Sequence, residues 1–143
     1  MKIFISHAGN EGLKYGIMLN EVLKSKHETF FFEDDVTLEE EMFIKINLAL
    51  AKSRIIAIIV TESSKDAKYQ QQEFGTACSF GTYSGIIKEN VDWSKFSILA
   101  SKQYILFNDE NAKEKMKEFL EKINKLPHDD KISIKKESEE ILE

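Results

Sequence analysis

The chain is predicted to form an α/β domain with a flavodoxin-like parallel sheet and helices on both faces. Apolar runs of strand length occur at 3–5, 29–32 and 54–61, and segments with the periodicity of amphipathic helices separate them. A chain of 143 residues that is 42% hydrophobic is long enough to bury one full core. Strand and helix therefore alternate within a single domain.

The first half of the chain contains the clearest elements. Residues 3–5 form the first predicted strand, and the apolar residues after it recur at the spacing of one helix face: Tyr15, Met18, Leu19, Val22 and Leu23. The run 29–32 lacks polar alternation, which predicts a strand covered on both faces. A second helix is indicated by the apolar side Met42, Ile46, Ala49 and Leu50. The run 54–61 predicts a buried third strand.

A further helix is predicted over residues 67–80, after the third strand. The residues that can cap its N-terminus are Ser63, Ser64 and Asp66. Residues 85–87 are compatible with a short strand, and residues 93–100 with a short helix or a loop. The strand order beyond the third strand stays open at this stage.

The last part of the predicted domain is a strand at 104–107 followed by a closing helix. The apolar stripe of this helix is Ala112, Met116, Phe119, Leu120 and Ile123, and the helix is expected to stop before Pro127. We therefore expect a domain over 1–126. The charged residues 127–143 are expected to form a tail or a weakly docked extension.

Composition limits the function. The net charge is −5 and lysines are interleaved with glutamates, so we expect no nucleic-acid partner. No apolar run approaches the about 18–20 residues that span a bilayer, and no signal peptide is evident, so we expect no membrane association and a cytoplasmic location. The single cysteine, Cys78, allows neither an internal disulfide nor a cysteine-based metal cage, and no metal site is predicted.

In parallel sheets of this kind, ligands bind beyond the carboxyl ends of the strands, where the strand order switches. The segments to examine are therefore 6–10, 33–35 and 62–64. Only Gly9 and Gly12 follow the first strand, so no Walker loop or dinucleotide-binding glycine fingerprint is present. The acidic pair of a phosphate-receiver domain and the Gly-x-Ser-x-Gly elbow of a serine hydrolase are also missing from the sequence.

An ordered series of motifs over residues 2–126 resembles the Toll/interleukin-1 receptor (TIR) domain family. The residues that carry the resemblance are Ile3-Phe4-Ile5-Ser6-His7, Phe32 to Asp34, Leu38, Phe43, Ser53, Ser63-Ser64 and Tyr69-x-x-x-Glu73. In the enzymatic branch of that family, a glutamate four residues after an aromatic residue, usually Trp, cleaves NAD. Tyr69 and Glu73 match that pair, with Tyr in place of Trp.

The resemblance implies that Glu73 is catalytic, that Tyr69 and Phe43 are walls of the pocket, and that Asp34 belongs to the binding site. It also implies that Ser6, His7 and the backbone after them contact the pyrophosphate or adenosine side. NAD is then a substrate and no cofactor is needed. The implied biology is defence signalling, with activity released by self-association among TIR domains.

Elementary chemistry agrees with a carboxylate at position 73. On a helix, Tyr69 and Glu73 would share one face. The nicotinamide of NAD is already cationic, so its departure needs no general acid, and the enzyme must stabilise positive charge that grows on the ribose carbon. A carboxylate beside the ribose does this, as one of the paired carboxylates does in sugar hydrolysis.

Other interpretations remain open. The segment 33–41 is acidic and has Glu41 where the family often has glycine. Glu73 could instead be a solvated helix residue, and His7 a loop residue that bonds to backbone. The chain could be a non-enzymatic TIR module that binds other such domains. It could also resemble nucleoside deoxyribosyltransferases, in which a glutamate attacks the sugar.

Overall fold

A computed structural model describes residues 1–32, 40–62, 64, 70, 83–89 and 104–125, with backbone alone for 40–43 and 83–84. The strands and helices are, in chain order, β1 (Lys2–Ser6), α1 (Gly9–Leu23), β2 (Glu28–Phe31), α2 (Glu40–Lys52), β3 (Ile55–Val60), β4 (Tyr83–Lys88), β5 (Tyr104–Phe107) and α3 (Ala112–Asn124). The predicted helix over 67–80 lies outside these residues apart from Gln70, as do the segment 93–100 and the extension 127–143.

The described strands form one five-stranded sheet in the order β2-β1-β3-β4-β5, and every neighbouring pair is parallel. The chain moves from β1 to β2 on one side and then crosses to β3 on the other side of β1. Ile3 accordingly pairs with Thr29 on one side and with Ile55 on the other. The predicted α/β flavodoxin-like sheet is confirmed, and its strand order switches between β1 and β3.

Strand β3 is the centre of the fold. All six of its residues are buried, because it has a strand on either side and is covered on both faces. This is the environment that an apolar run without polar alternation predicts. The short run at 85–87 also proves to be a strand, since β4 extends over Tyr83–Lys88 and pairs with β3.

Strand β2 differs from its prediction. We expected a strand covered on both faces, whereas Thr29, Phe30 and Phe31 are only half-buried. The reason is the position of β2 at one edge of the sheet, where a single neighbour covers it. Three consecutive phenylalanines have the sequence pattern of a central strand. The burial of their rings, however, depends on the elements that surround the strand, which the pattern does not contain.

Helices cover both faces of the sheet. Helices α1 and α3 contact each other and bury their apolar sides in one cluster with alternate residues of the strands; the helix members are Tyr15, Leu19, Leu23, Ala112, Met116, Phe119 and Ile123. Helix α2 contacts β1, but its buried residues Ile46, Ala49 and Leu50 lie outside that cluster, as does Phe4 of β1. Helix α2 therefore packs on the opposite face.

Helix α3 ends at Asn124, which confirms that the closing helix stops before Pro127. Within the described part of the chain, no helix is long and apolar enough to cross a bilayer.

Candidate functional site

The carboxyl edge of the sheet brings together the ends of strands that are far apart in the sequence. Strand β1 ends at Ser6, β3 is followed by Thr61, β4 ends at Lys88, and β5 ends at Phe107. Because all the described strands are parallel, these ends share one edge. The edge includes the switch between β1 and β3, the position where this architecture binds ligands.

Gln70 joins the two strands on either side of the switch. Its side-chain amide nitrogen Nε2 donates to the carbonyl oxygen of Ile59 at 2.7 Å and to that of Ser6 at 3.3 Å. Gln70 is fully buried and its backbone is helical. The residue next to Tyr69 is therefore attached to the ends of β1 and β3.

A turn after β3 adds further hydrogen bonds at the same place. The hydroxyl of Ser64 accepts from the backbone N–H of Thr61 at 3.1 Å and donates to the carbonyl of Ile59 at 3.4 Å. Thr61 Oγ1 and Gln70 Oε1 are also buried there, and neither has a hydrogen-bond partner among the residues that the structure describes. The end of β3 is thus surrounded by buried polar groups.

His7 extends the site towards β2. Its ring nitrogen Nε2 lies 2.8 Å from the carbonyl oxygen of Phe32, and because a carbonyl only accepts, Nε2 carries the proton of this bond. The ring packs against Phe31 with centroids 5.1 Å apart. Nδ1 is buried and has no hydrogen-bond partner within the described part of the chain. In the neutral ring, Nδ1 is therefore an acceptor whose lone pair none of the described residues uses.

Two glycines of α1 lie next to His7, and one of them makes room for Phe31. Atoms of His7 would lie 3.4 Å from a Cβ added at Gly12 and 3.6 Å from one added at Gly16. At Gly16 the closest approach is to Phe31, whose Cε2 would lie only 2.8 Å from the added atom. The absence of a side chain at Gly16 therefore lets the Phe31 ring, and His7 on top of it, lie directly against the helix.

Helix α1 begins at this edge. Ala8 before it is extended and provides no side-chain hydrogen bond to the first turn, while Gly9 has φ of 69°, a left-handed conformation that favours glycine. The only acidic side chain in the first turn, Glu11, is paired with Lys88 at 2.6 Å. The positive end of the α1 dipole thus lies beside Ser6 and His7 with its one carboxylate neutralised.

Lys88 connects the start of α1 to the ends of β4 and β5. Besides Glu11, its ammonium lies 3.4 Å from Asp109 and 5.7 Å from the centre of the Tyr15 ring. The Lys88 and Glu11 side chains are only 23% and 31% exposed, so solvent screens their pair incompletely. The cluster therefore fixes the position of the first turn of α1.

We expect Lys88→Met to lower the free energy of unfolding by about 1 kcal/mol, the upper end for exposed pairs, because the Lys88 pair is partly buried. The matched control is Lys24→Met, which removes an ion pair of similar length, 2.7 Å, between side chains that are 52% and 63% exposed. Its loss should be close to zero. Urea unfolding at low and high salt measures both changes, and equal losses would contradict a special role for the Lys88 cluster.

The residues predicted from the sequence divide into three groups. Ser6 and His7 do lie together at the end of β1, beside the switch in strand order, and Ser6 is buried. Phe43 belongs to α2, of which the structure gives only the backbone at this position. Asp34, Tyr69 and Glu73 lie outside the described residues. No arrangement of three or more His, Cys, Asp or Glu suited to a metal ion occurs among the residues described.

Sequence reasoning missed Gln70, Gly16 and Lys88. Gln70 is one of three consecutive glutamines, and no periodicity distinguishes the buried one from its neighbours. Gly16 lies inside an amphipathic helix, where the need for glycine depends on the approach of Phe31 from a strand distant in sequence.

No protein-family model matches the chain, and no curated protein matches it at significant similarity. The TIR resemblance therefore rests on the motifs alone.

Proposed function

We propose that the protein cleaves NAD at the bond between nicotinamide and ribose, in the manner of the enzymatic TIR domains that it resembles. One observation supports the proposal: Gln70 binds the carbonyls of Ser6 and Ile59, on either side of the switch between β1 and β3, and it is the neighbour of Tyr69 and lies three residues before Glu73 in the sequence. A catalytic carboxylate on this segment would act where such sheets bind nucleotides.

In the proposed reaction, the bond between the ribose carbon and the nicotinamide nitrogen breaks and its electron pair leaves with nicotinamide. Glu73 stabilises the cation that develops on the ribose. A water molecule, or an adenine nitrogen of the same substrate, then forms the new bond and gives ADP-ribose or a cyclic product. With water as nucleophile, its proton passes to Glu73 or to solvent. Tyr69 forms a wall that keeps the ribose in place.

The start of α1 supports a pyrophosphate position beside Ser6 and His7. Backbone N–H groups at a helix N-terminus bind phosphate readily, and α1 begins three residues after Ser6. The neutralisation of Glu11 by Lys88 removes a repulsive charge from that turn. Asp34 and Phe43 are proposed to complete the binding site, as the resemblance implies.

A non-enzymatic binding module is the second candidate, and one observation favours it. Ile44 and Leu48 of α2 lie one turn apart and are 52% and 53% exposed. Large apolar side chains at such spacing on one helix provide a surface for association. Association and catalysis are compatible, since we also propose that self-association raises activity and that the protein acts in the cytoplasm in defence signalling.

Incubation of the purified protein with NAD, followed by chromatography of the products, tests the proposal. Nicotinamide together with ADP-ribose or its cyclic form is the expected result. Intact NAD at high protein concentration would exclude the enzyme and leave the binding module. Release of a free base from a deoxynucleoside, with NAD intact, would identify a deoxyribosyltransferase instead.

Self-association predicts that specific activity rises with protein concentration, and rises further at higher salt because the acidic residues 33–41 repel one another less. Leu48→Glu should reduce this rise, because it puts a charge on the exposed apolar face of α2. Ile17→Glu is the matched control on α1, where Ile17 is 44% exposed. Constant specific activity over about a hundredfold concentration range in a demonstrated monomer would disprove the association.

A further inference from the structure

We propose that Gln70 is a positioning residue of this site, holding the Tyr69–Glu73 segment in register with the ends of β1 and β3. The inference rests on the proposed NAD cleavage for its kinetic consequences. Its geometric basis is independent of that reaction, because Gln70 and both of its acceptors are described directly by the structure.

The two bonds of Gln70 form a bridge that only a primary amide provides at this length. Nε2 has two protons, and it donates to one carbonyl from each of two neighbouring strands, at 2.7 Å and 3.3 Å. Ser6 and Ile59 both lie at the carboxyl ends of their strands. The bridge therefore fixes the position of the Gln70 side chain relative to the ends of both β1 and β3.

Packing alone does not account for a glutamine here. Gln70 is fully buried, its Oε1 has no hydrogen-bond partner among the described residues, and burying an amide costs free energy wherever its polar atoms are not bonded. An apolar side chain of similar length would fill the same space without that cost. It would not select one position along the strand ends, because dispersion contacts have little directional preference. The gain from the amide is thus precision of placement.

That precision matters because Glu73 is only three residues from the bridge and Tyr69 is adjacent to it. A displacement of the main chain at Gln70 would therefore displace these two neighbours in the sequence as well. A shift of about 1 Å in a catalytic group can reduce the rate on the order of a hundredfold. Gln70 acts through Glu73 and need not touch the substrate.

The test uses Gln70→Met, which keeps the length and lacks both donors, and Gln70→Glu, which keeps the shape. A protonated Glu can donate one bond to Ile59, whereas a carboxylate is repelled by both carbonyls. The control is Ser53→Ala, which removes a buried 2.6 Å hydrogen bond to the carbonyl of Ala49 at the opposite end of β3. Steady-state kinetics with NAD and hydrogen–deuterium exchange of the peptide covering 65–80 are measured for each variant.

We expect Gln70→Met to lower kcat by about tenfold or more while KM changes by less than about twofold, since orientation and not affinity is lost. The kcat of Gln70→Glu, as a fraction of wild type, should rise as the pH is lowered. Exchange in the 65–80 peptide should increase in Gln70→Met. Ser53→Ala should change stability alone, with kcat and that exchange as in wild type.

Wild-type kcat in Gln70→Met would overturn the inference and leave NAD cleavage intact. If the ratio of the Gln70→Glu kcat to the wild-type kcat did not vary with pH, that result would also contradict the positioning role. It is the deciding result if Gln70→Met does not fold. If the wild-type protein releases no nicotinamide, the proposed function fails, and the exchange measurement still tests the anchor. Equal exchange in Gln70→Met and Ser53→Ala would then overturn it.

Discussion

Glu73→Gln is expected to abolish nicotinamide release from NAD. The substitution keeps the shape of the side chain and removes the negative charge that would stabilise the developing ribose cation. Loss of one preorganised electrostatic group typically costs about 10²–10³ in kcat, and Glu73 is the only acid that we propose beside the ribose carbon. Chromatography of the products from the purified variant and from wild type at equal concentration measures the effect.

Glu121→Gln is the control for this experiment. Glu121 is an exposed glutamate near the C-terminus of α3, at the edge of the sheet opposite to the proposed site. The chemical change is the same, so its activity should equal that of wild type. The free energy of unfolding of both variants should lie within about 1 kcal/mol of the wild-type value, as it usually does for substitutions outside the core. A Glu73→Gln variant with wild-type turnover would exclude Glu73 as the catalyst.

The parts of the fold that the sequence predicts are those that depend on local patterns. Strand β3 is recognisable because a strand buried on both faces needs apolar side chains at every position. Helix α3 is recognisable from its apolar stripe and from Pro127 beyond its end. The half-burial of β2 was not predictable in this way, because it depends on the position of the strand in the sheet.

The site was predictable only where topology determines it. Ser6 ends the first strand and His7 follows it, and the rule for parallel sheets was enough to select them. The hydrogen bond from His7 to Phe32 supports the interpretation of His7 as a loop residue that bonds to backbone. Gln70 was missed because the two residues that accept its hydrogen bonds are separated from it by 64 and by 11 positions in the sequence.

Gly16→Ala is expected to destabilise the protein, although alanine is the better helix former. The new Cβ would lie 2.8 Å from Cε2 and 3.1 Å from Cζ of Phe31, whose ring also packs against His7. Overpacking of this kind costs about 1–3 kcal/mol, and alanine regains up to about 1 kcal/mol of helix propensity. The net loss of stability should be up to about 2 kcal/mol, measured by urea unfolding.

Gly12→Ala is the matched control, because it makes the same change one turn earlier in the same helix. There the added Cβ would lie 3.4 Å from its nearest neighbour, His7, which is an ordinary van der Waals distance. Helix propensity should then dominate and stabilise the protein by about 0.5–1 kcal/mol. The two substitutions are thus expected to change the free energy of unfolding in opposite directions. Stabilisation by both would mean that the Phe31 ring yields freely, and that Gly16 does not hold His7 at the end of β1.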